Sequence, residues 1–165
     1  MPNAFRSPAA LARFFGAAAI GVALDLWSKS AAFSTPSLAE RPYQFIPGWL
    51  EFEIERNRGA VFGFAQGQRI LFVVISIGAI AFLIYLFYGS HKRTFQVLLG
   101  MLLAGVLGNL YDRVTLGYVR DMIHIFPAWP KLYPWVFNVA DSLLCVGVTL
   151  MIIYNLLPQS QKKQE

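Results

Sequence analysis

The chain has 165 residues, of which 56% are apolar and only 14% are charged. Soluble domains average about 45–50% apolar and about 25% charged residues, so this composition excludes a disordered protein and is unusual for a soluble domain. A net charge of +5 on so apolar a chain indicates basic flanks of membrane helices rather than a nucleic-acid surface. The single cysteine excludes an intrachain disulfide and a zinc–cysteine site.

Four segments are long and apolar enough to cross a bilayer, which takes about 20 helical residues. The predicted helices cover about residues 11–33, 70–88, 94–113 and 136–157. They are apolar all round, as is typical of helices that face lipid. We expect a single integral membrane domain over residues 1–165 that ends in a polar cytoplasmic tail at 158–165. A cleaved signal peptide is the alternative for the first segment, but its apolar run is longer than the usual core of roughly 7–15 residues.

Basic residues are densest in the short segments on one side of these helices, which predicts that both termini are cytoplasmic. The outer segments then cover about residues 34–69 and 114–135. Apolar residues alternate with glutamates from Trp49 to Arg56, and this period of two predicts a β-strand after a turn at Pro47–Gly48. Prolines among aromatic residues near 126–135 are typical of a loop or short helix at the interface. The expected fold is therefore a mainly α, four-helix membrane protein with a small outer β-sheet.

All the aspartates lie in or beside an apolar segment, whereas the glutamates lie in the first outer segment and the tail. The aspartates are Asp25, Asp112, Asp121 and Asp141. A carboxylate near hydrocarbon costs several kcal/mol unless it is paired, protonated or hydrated. Each aspartate is therefore a candidate functional residue, and each also has a structural interpretation.

The structural interpretations differ in strength. Asp25 and Lys29 have the i, i+4 spacing of an intrahelical ion pair, and this interpretation and a role in shaping a site are equally supported. Asn109, Asp112 and Arg113 form a polar cluster at a helix end, where we expect Asp112 and Arg113 to contact partners on other segments.

The structural interpretations of the last two aspartates, Asp121 and Asp141, also differ. Asn138 and Asp141 are spaced i, i+3, so that the asparagine can orient the carboxylate, although a packing hydrogen bond between helices is the alternative. Asp141 has no basic residue within four positions. For Asp121 alone, an ordinary loop aspartate paired with Arg120 is the better interpretation.

Two aspartates held together in low dielectric cannot both ionise easily, so they share a proton. One can then take a proton from water while the other gives one to a substrate carbonyl, as in aspartic proteases. This chemistry needs no metal, cofactor, histidine or cysteine, and we expect none to take part. The same carboxylates could equally form a proton or cation path, so the residues alone leave both functions open.

Five short motifs in order resemble the lipoprotein signal peptidase (signal peptidase II) family, the aspartic peptidases of the bacterial inner membrane. The motifs are D-L-W-S-K (25–29), N-R-G-A-V-F (57–62), G-V-L-G-N-L-Y-D-R (105–113), G-Y-V-R-D (117–121) and F-N-V-A-D (137–141). Each is weak alone, but all five in this order on four apolar helices are specific.

The resemblance implies a function and a set of site residues. The expected reaction removes the signal peptide from diacylglyceryl-modified prolipoproteins by cleaving the bond N-terminal to the lipidated cysteine. The resemblance makes Asp121 and Asp141 the catalytic dyad, near the periplasmic face. Residues expected to line the site are Asn57, Gly59, Arg113 and Asn138. Polar residues expected to support it are Asp25, Lys29, Asn109 and Asp112.

The expected partners are prolipoproteins and membrane lipids, not nucleic acid, and a monomer suffices because one chain supplies both aspartates. A small transporter or proton channel would use the same aspartates, but there is no inverted repeat to favour it. A non-enzymatic scaffold would tolerate Asp121→Asn with its role intact.

Overall fold

A computed structural model describes residues 4–59, 67–129, 131–132 and 135–156. Its α-helices are α1 (Pro8–Phe33), α2 (Pro36–Glu40), α3 (Arg69–Tyr88), α4 (Arg93–Thr115) and α5 (Val139–Leu156). All except α2 are long and apolar enough to cross a membrane, as predicted. The expected polar tail at 158–165 and residues 60–62 of the second motif lie outside the described residues.

Helix α4 is the centre of the bundle, because α1, α3 and α5 all pack against it. The outermost helix is α3, which buries only Leu83 and Phe87. Its Ile70 and Phe82 side chains are 79% and 58% exposed. An apolar surface of this kind faces lipid, where the helix satisfies its backbone polar groups internally.

Glycines allow the central helix to approach its neighbours closely. A Cβ atom on Gly100 of α4 would collide with the carbonyl oxygen of Phe14 and lie 2.9 Å from the Cβ of Ala17 on α1. A Cβ on Gly21 of α1 would lie 2.5 Å from the Cβ of Ala104. Small residues let helix backbones pack closely where lipid provides no hydrophobic driving force.

A four-stranded antiparallel sheet lies at one end of the bundle, which we call the sheet end. Its strands, in spatial order, are β1 (Tyr43–Ile46), β2 (Leu50–Asn57), β3 (Val119–Ile125) and β4 (Val136–Phe137). The strand predicted from alternation is β2, and the predicted turn precedes it, with Gly48 at φ 78°. The alternation did not reveal the other three strands. Because β4 pairs with β3, α5 begins at Val139 and not at the predicted residue 136.

A β-bulge in β2 separates its glutamates onto two faces. Phe52 pairs with Ile123 and Glu55 pairs with Asp121, although Glu55 lies three positions after Phe52 and Asp121 only two positions before Ile123. Paired residues share a face, so Glu55 lies on the same face as Asp121. Glu51 pairs with His124 and lies on the opposite face. The simple alternation predicted from the sequence therefore ends at the bulge.

The close approach of α1 and α4 generates a stability prediction. We expect Gly100→Ala to destabilise the protein by about 1–3 kcal/mol, because the added methyl group overpacks the contact with Phe14 and Ala17. The matched control is Gly78→Ala on α3, where an added Cβ meets nothing within 4 Å. Thermal unfolding of both variants in detergent tests this, and equal melting temperatures would contradict it.

Candidate active site

The site begins with the start of α5, which is closed by a reciprocal capping box. The side-chain oxygen of Asn138 accepts a hydrogen bond from the backbone N–H of Asp141 at 2.9 Å. The Asp141 carboxylate accepts one from the backbone N–H of Asn138 at 3.3 Å. Such a box satisfies N–H groups that a helix start leaves unpaired. The spacing of Asn138 and Asp141 thus fixes the carboxylate at the first turn of α5.

Asp121 reaches the same point from β3. The Asn138 side-chain amide donates to its Oδ1 at 2.6 Å, and the Asn57 amide of β2 donates to its Oδ2 at 3.0 Å. The side chain of Asp121 is buried. Its expected pairing with Arg120 is wrong, since both of its oxygens are bonded to amides.

Two asparagines connect the carboxylates of Asp121 and Asp141. The Asn109 amide of α4 donates to Asp141 Oδ1 at 2.8 Å. The Asn138 amide, besides bonding Asp121, donates to Asn109 Oδ1 at 3.1 Å. A strand aspartate and a helix aspartate are therefore held in one hydrogen-bond network. The groups that donate to their two carboxylates are side-chain and backbone amides.

Lys29 lies beneath this network and is fully buried. Its ammonium group donates to Asp25 Oδ2 at 2.7 Å and to Asn109 Oδ1 at 3.0 Å, and it lies 3.4 Å from Asp112 Oδ2. The predicted Asp25–Lys29 ion pair is therefore present. Asp25 also accepts a hydrogen bond from the backbone N–H of Ala140 at 2.8 Å, so that it helps to cap α5. The pair consequently ties α1 to α4 and α5.

Asp112 and Arg113 have partners on other segments, as predicted. The Arg120 guanidinium of β3 donates to Asp112 Oδ1 at 2.8 Å, and the Arg120 backbone N–H donates to Oδ2 at 3.0 Å. Arg113 Nη2 donates to the carbonyl of Gly59 at 3.1 Å, with the guanidinium carbon 5.0 Å from the centre of the Phe72 ring. The Gly59 N–H in turn donates to Asn57 Oδ1 at 2.8 Å. Arg113 thus positions the backbone that follows β2.

A cavity of about 210 Å³ lies beside this network, between α3, α4 and α5. Its polar lining is supplied by Asn109, Arg113 and Asp141 at one end, and its apolar lining includes Phe72, Ile75 and Leu144. An apolar cavity with a few convergent polar groups is typical of a ligand site. It lies between three of the helices that are long and apolar enough to cross a membrane.

The electrostatics of Asp121 fit a shared proton. The pKa of Asp121 is raised to about 7, first by burial and then by the negative charge of Asp141. The amides of Asn57 and Asn138 act in the opposite direction, because they stabilise the ionised form. One proton on the pair near neutral pH is the state required for acid–base work by two carboxylates.

Residues 17–157 match the family described as Signal peptidase (SPase) II. The chain belongs to the signal peptidase II family. A lipoprotein signal peptidase of Enterococcus faecalis is 40% identical over 154 residues, which is 92% of either chain. One from Rhodopirellula baltica is 37% identical over 161 residues and covers 86% of this chain and 70% of its own.

The fold agrees with that family. A solved structure of a bacterial membrane enzyme is 33% identical, has a TM-score of 0.75 and covers 90% of both chains. A second, also 33% identical, has a TM-score of 0.73. As a signal peptidase II family member with four candidate spans, the chain is a multi-pass membrane peptidase, as the sequence indicated.

Every predicted site residue in this signal peptidase II chain falls in one connected region at the sheet end. The connected residues are Asp25, Lys29, Asn57, Gly59, Asn109, Asp112, Arg113, Asp121, Asn138 and Asp141. Their chemical roles remain predictions. The sequence missed Arg120 as the partner of Asp112, because that pair joins a strand to a helix and has no local spacing.

The burial of Lys29 predicts that it is essential for stability. Lys29→Met should destabilise the protein by about 3–5 kcal/mol, because it leaves the buried Asp25 and Asp112 carboxylates without its charge. Lys131→Met, at an exposed lysine between β3 and β4, should change stability little. Thermal unfolding in detergent measures both. A Lys29→Met protein that folds normally but has lost turnover would show that Lys29 acts in catalysis instead.

Proposed function

We propose that this chain is an aspartic endopeptidase that removes the signal peptide from diacylglyceryl-modified prolipoproteins. In this proposal it cleaves the bond N-terminal to the lipidated cysteine, with Asp121 and Asp141 as the catalytic dyad. The observation that carries the proposal is the pair of carboxylates from β3 and α5 beside an apolar cavity. Asn138 joins them, because its side-chain amide donates to Asp121 and its backbone N–H donates to Asp141. The name lipoprotein signal peptidase, carried by the relatives, supports the substrate class.

The dyad geometry supports a general acid–base mechanism. Asp121, whose pKa is about 7, holds the proton, and Asp141 is the ionised partner. Asp141 takes a proton from a water molecule as the water oxygen attacks the scissile carbonyl carbon, and Asp121 gives its proton to the carbonyl oxygen. When the tetrahedral species collapses, the C–N bond breaks and the leaving nitrogen receives the proton that Asp141 took from water. Asp121 recovers its proton from a hydroxyl of the tetrahedral carbon as the C=O bond of the new carboxyl group forms. No proton is gained or lost overall, so the pair returns to its starting state.

The surrounding residues have proposed positioning roles. Asn57 and Asn138 hold the Asp121 carboxyl, and Asn109 and Asn138 hold that of Asp141. Gly59 lies next to Asn57, with its carbonyl fixed by Arg113, so that this backbone borders the dyad and lines the path of the peptide. The ion pairs of Asp25, Lys29 and Asp112 support the network from behind.

The membrane arrangement follows from charge and chemistry. Lys92 precedes α4 and Arg93 is its first residue, at the end opposite the sheet, which favours a cytoplasmic location for that end. Both termini then lie in the cytoplasm of an inner-membrane protein, and the dyad faces the periplasm. The diacylglyceryl chains stay in the bilayer with other membrane lipids while the peptide bond reaches water. A monomer is sufficient, because one chain carries both carboxylates.

The dyad is tested by single substitutions. We expect Asp121→Asn and Asp141→Asn each to lower the rate of cleavage of a lipid-modified prolipoprotein by at least about 10²-fold, since an amide cannot exchange the proton. Glu40→Gln, at an exposed position of α2, should keep full activity. Cleavage by detergent-purified protein, with the unmodified precursor as substrate control, is the measurement. Near-full activity in either aspartate variant would exclude Asp121 and Asp141 as a catalytic dyad. The transporter and scaffold hypotheses would then again be open.

The pH profile tests which carboxyl carries the proton. Activity should fall as the pH rises above about 7, because Asp121 then loses the proton that it must donate. Asn57→Ala removes an amide that stabilises ionised Asp121, so this alkaline limb should move upward by about half to one pH unit. The ratio kcat/KM measured between about pH 5 and pH 9 reports the free enzyme. If the alkaline limb of the pH profile stays fixed or moves to lower pH in Asn57→Ala, the proton is carried by a group other than Asp121.

A further inference from the structure

The sheet carries a second cluster of chemically active side chains, formed by Glu51, Glu53 and His124. His124 Nδ1 lies 3.1 Å from Glu51 Oε1 and 2.9 Å from Glu53 Oε1. All three potential ligand atoms lie within 4.8 Å of one another. Glu51 pairs with His124 in the register of β2 and β3, so the backbone itself holds these two side chains on one face.

This cluster is separate from the dyad. His124 and Asp121 are three residues apart on β3, and Ile123, on the Asp121 face, pairs with Phe52. Side chains an odd number of positions apart on a strand point to opposite faces. The cluster and the dyad therefore lie on opposite faces of the same strand.

The two carboxylates converge on a single nitrogen. Within the part of the chain that the structure describes, neither Glu51 nor Glu53 has a lysine or arginine at salt-bridge distance. Glu51 is 8% exposed, so water compensates little of its charge. One imidazole carries at most one positive charge, so it cannot balance two carboxylates by itself. Among the described residues, the buried His124 Nε2 has no hydrogen-bond partner, so the ring is held from its Nδ1 side.

A divalent cation would satisfy the three groups together. One imidazole nitrogen and two carboxylate oxygens form a donor set that zinc binds, with bonds of about 2.0–2.2 Å and tetrahedral geometry. Tetrahedral bonds of that length separate ligand atoms by about 3.3–3.6 Å. The observed separations of 3.1 and 2.9 Å from Nδ1 require shifts of only a few tenths of an ångström.

We propose that Glu51, Glu53 and His124 form a binding site for a divalent cation of the zinc class, with water as the fourth ligand. The cation would link β2 to β3 close to Asp121. Its expected effect is to stiffen the strand that carries one of the proposed catalytic carboxylates. The site requires no change in the dyad and does not depend on the proposed reaction.

The test is a zinc titration of the full chain, purified in detergent and freed of metal with a chelator. Calorimetry should show one Zn²⁺ bound per chain, and Co²⁺ in its place should give the visible absorption of a tetrahedral site. Glu53→Gln and His124→Gln should each weaken binding at least about tenfold. Zinc should raise the melting temperature of the wild type but not that of His124→Gln.

The matched control is Glu40→Gln, which removes the same charge from an exposed position of α2, outside the sheet. It should change zinc affinity by no more than about threefold if coordination, and not general charge, holds the ion. Equal weakening in all three variants would overturn the proposal in favour of diffuse electrostatic attraction. The proposal also fails if the wild type does not bind zinc, or if His124→Gln binds it as tightly as the wild type.

Discussion

The side-chain amide of Asn138 is the interaction on which the rest of the site depends. Its oxygen caps α5, and its nitrogen bonds both Asp121 from the sheet and Asn109 from α4. An amide offers both a donor and an acceptor, which neither a carboxylate nor a lysine can do. One side chain therefore caps α5 and bonds both the strand aspartate and Asn109, which in turn donates to the Asp141 carboxylate. Changing it to aspartate would remove the donor and add a third carboxyl group beside the pair.

The aspartates divide into two classes according to their partners. Asp25 and Asp112 are neutralised by Lys29 and Arg120, and these pairs join α1, α4 and β3. Asp121 and Asp141 receive their direct hydrogen bonds from amides and backbone N–H groups. Cations would keep both carboxyls ionised, whereas amides leave a proton available to the pair. The ion pairs thus supply rigidity and leave the other two carboxyls free to titrate.

Much of this arrangement is predictable from sequence, because the signals are local. Hydropathy located all four spanning helices, and alternation located β2. The spacing of Asp25 and Lys29 and that of Asn138 and Asp141 predicted their local contacts. The bulge in β2 and the pairing of β1, β3 and β4 depend on neighbours distant in sequence, so no local pattern revealed them.

The prediction that Arg120 pairs with Asp121 was wrong because residues adjacent in sequence need not be in contact. Adjacent residues on a strand point to opposite faces, so neighbours in sequence are kept apart in space once residues 119–125 form β3. Arg120 turns to Asp112 on α4, while Asp121 turns to Asn57 and Asn138.

The same alternation places two different chemistries on one strand. Asp121 faces the amides and the carboxylate of the dyad, while His124 faces Glu51 and Glu53 on the other side of the sheet. A strand paired on both edges has little freedom to twist, so whatever fixes one of its faces also constrains the other. The position of a proposed catalytic carboxyl in this membrane peptidase is therefore set by contacts on both faces of β3.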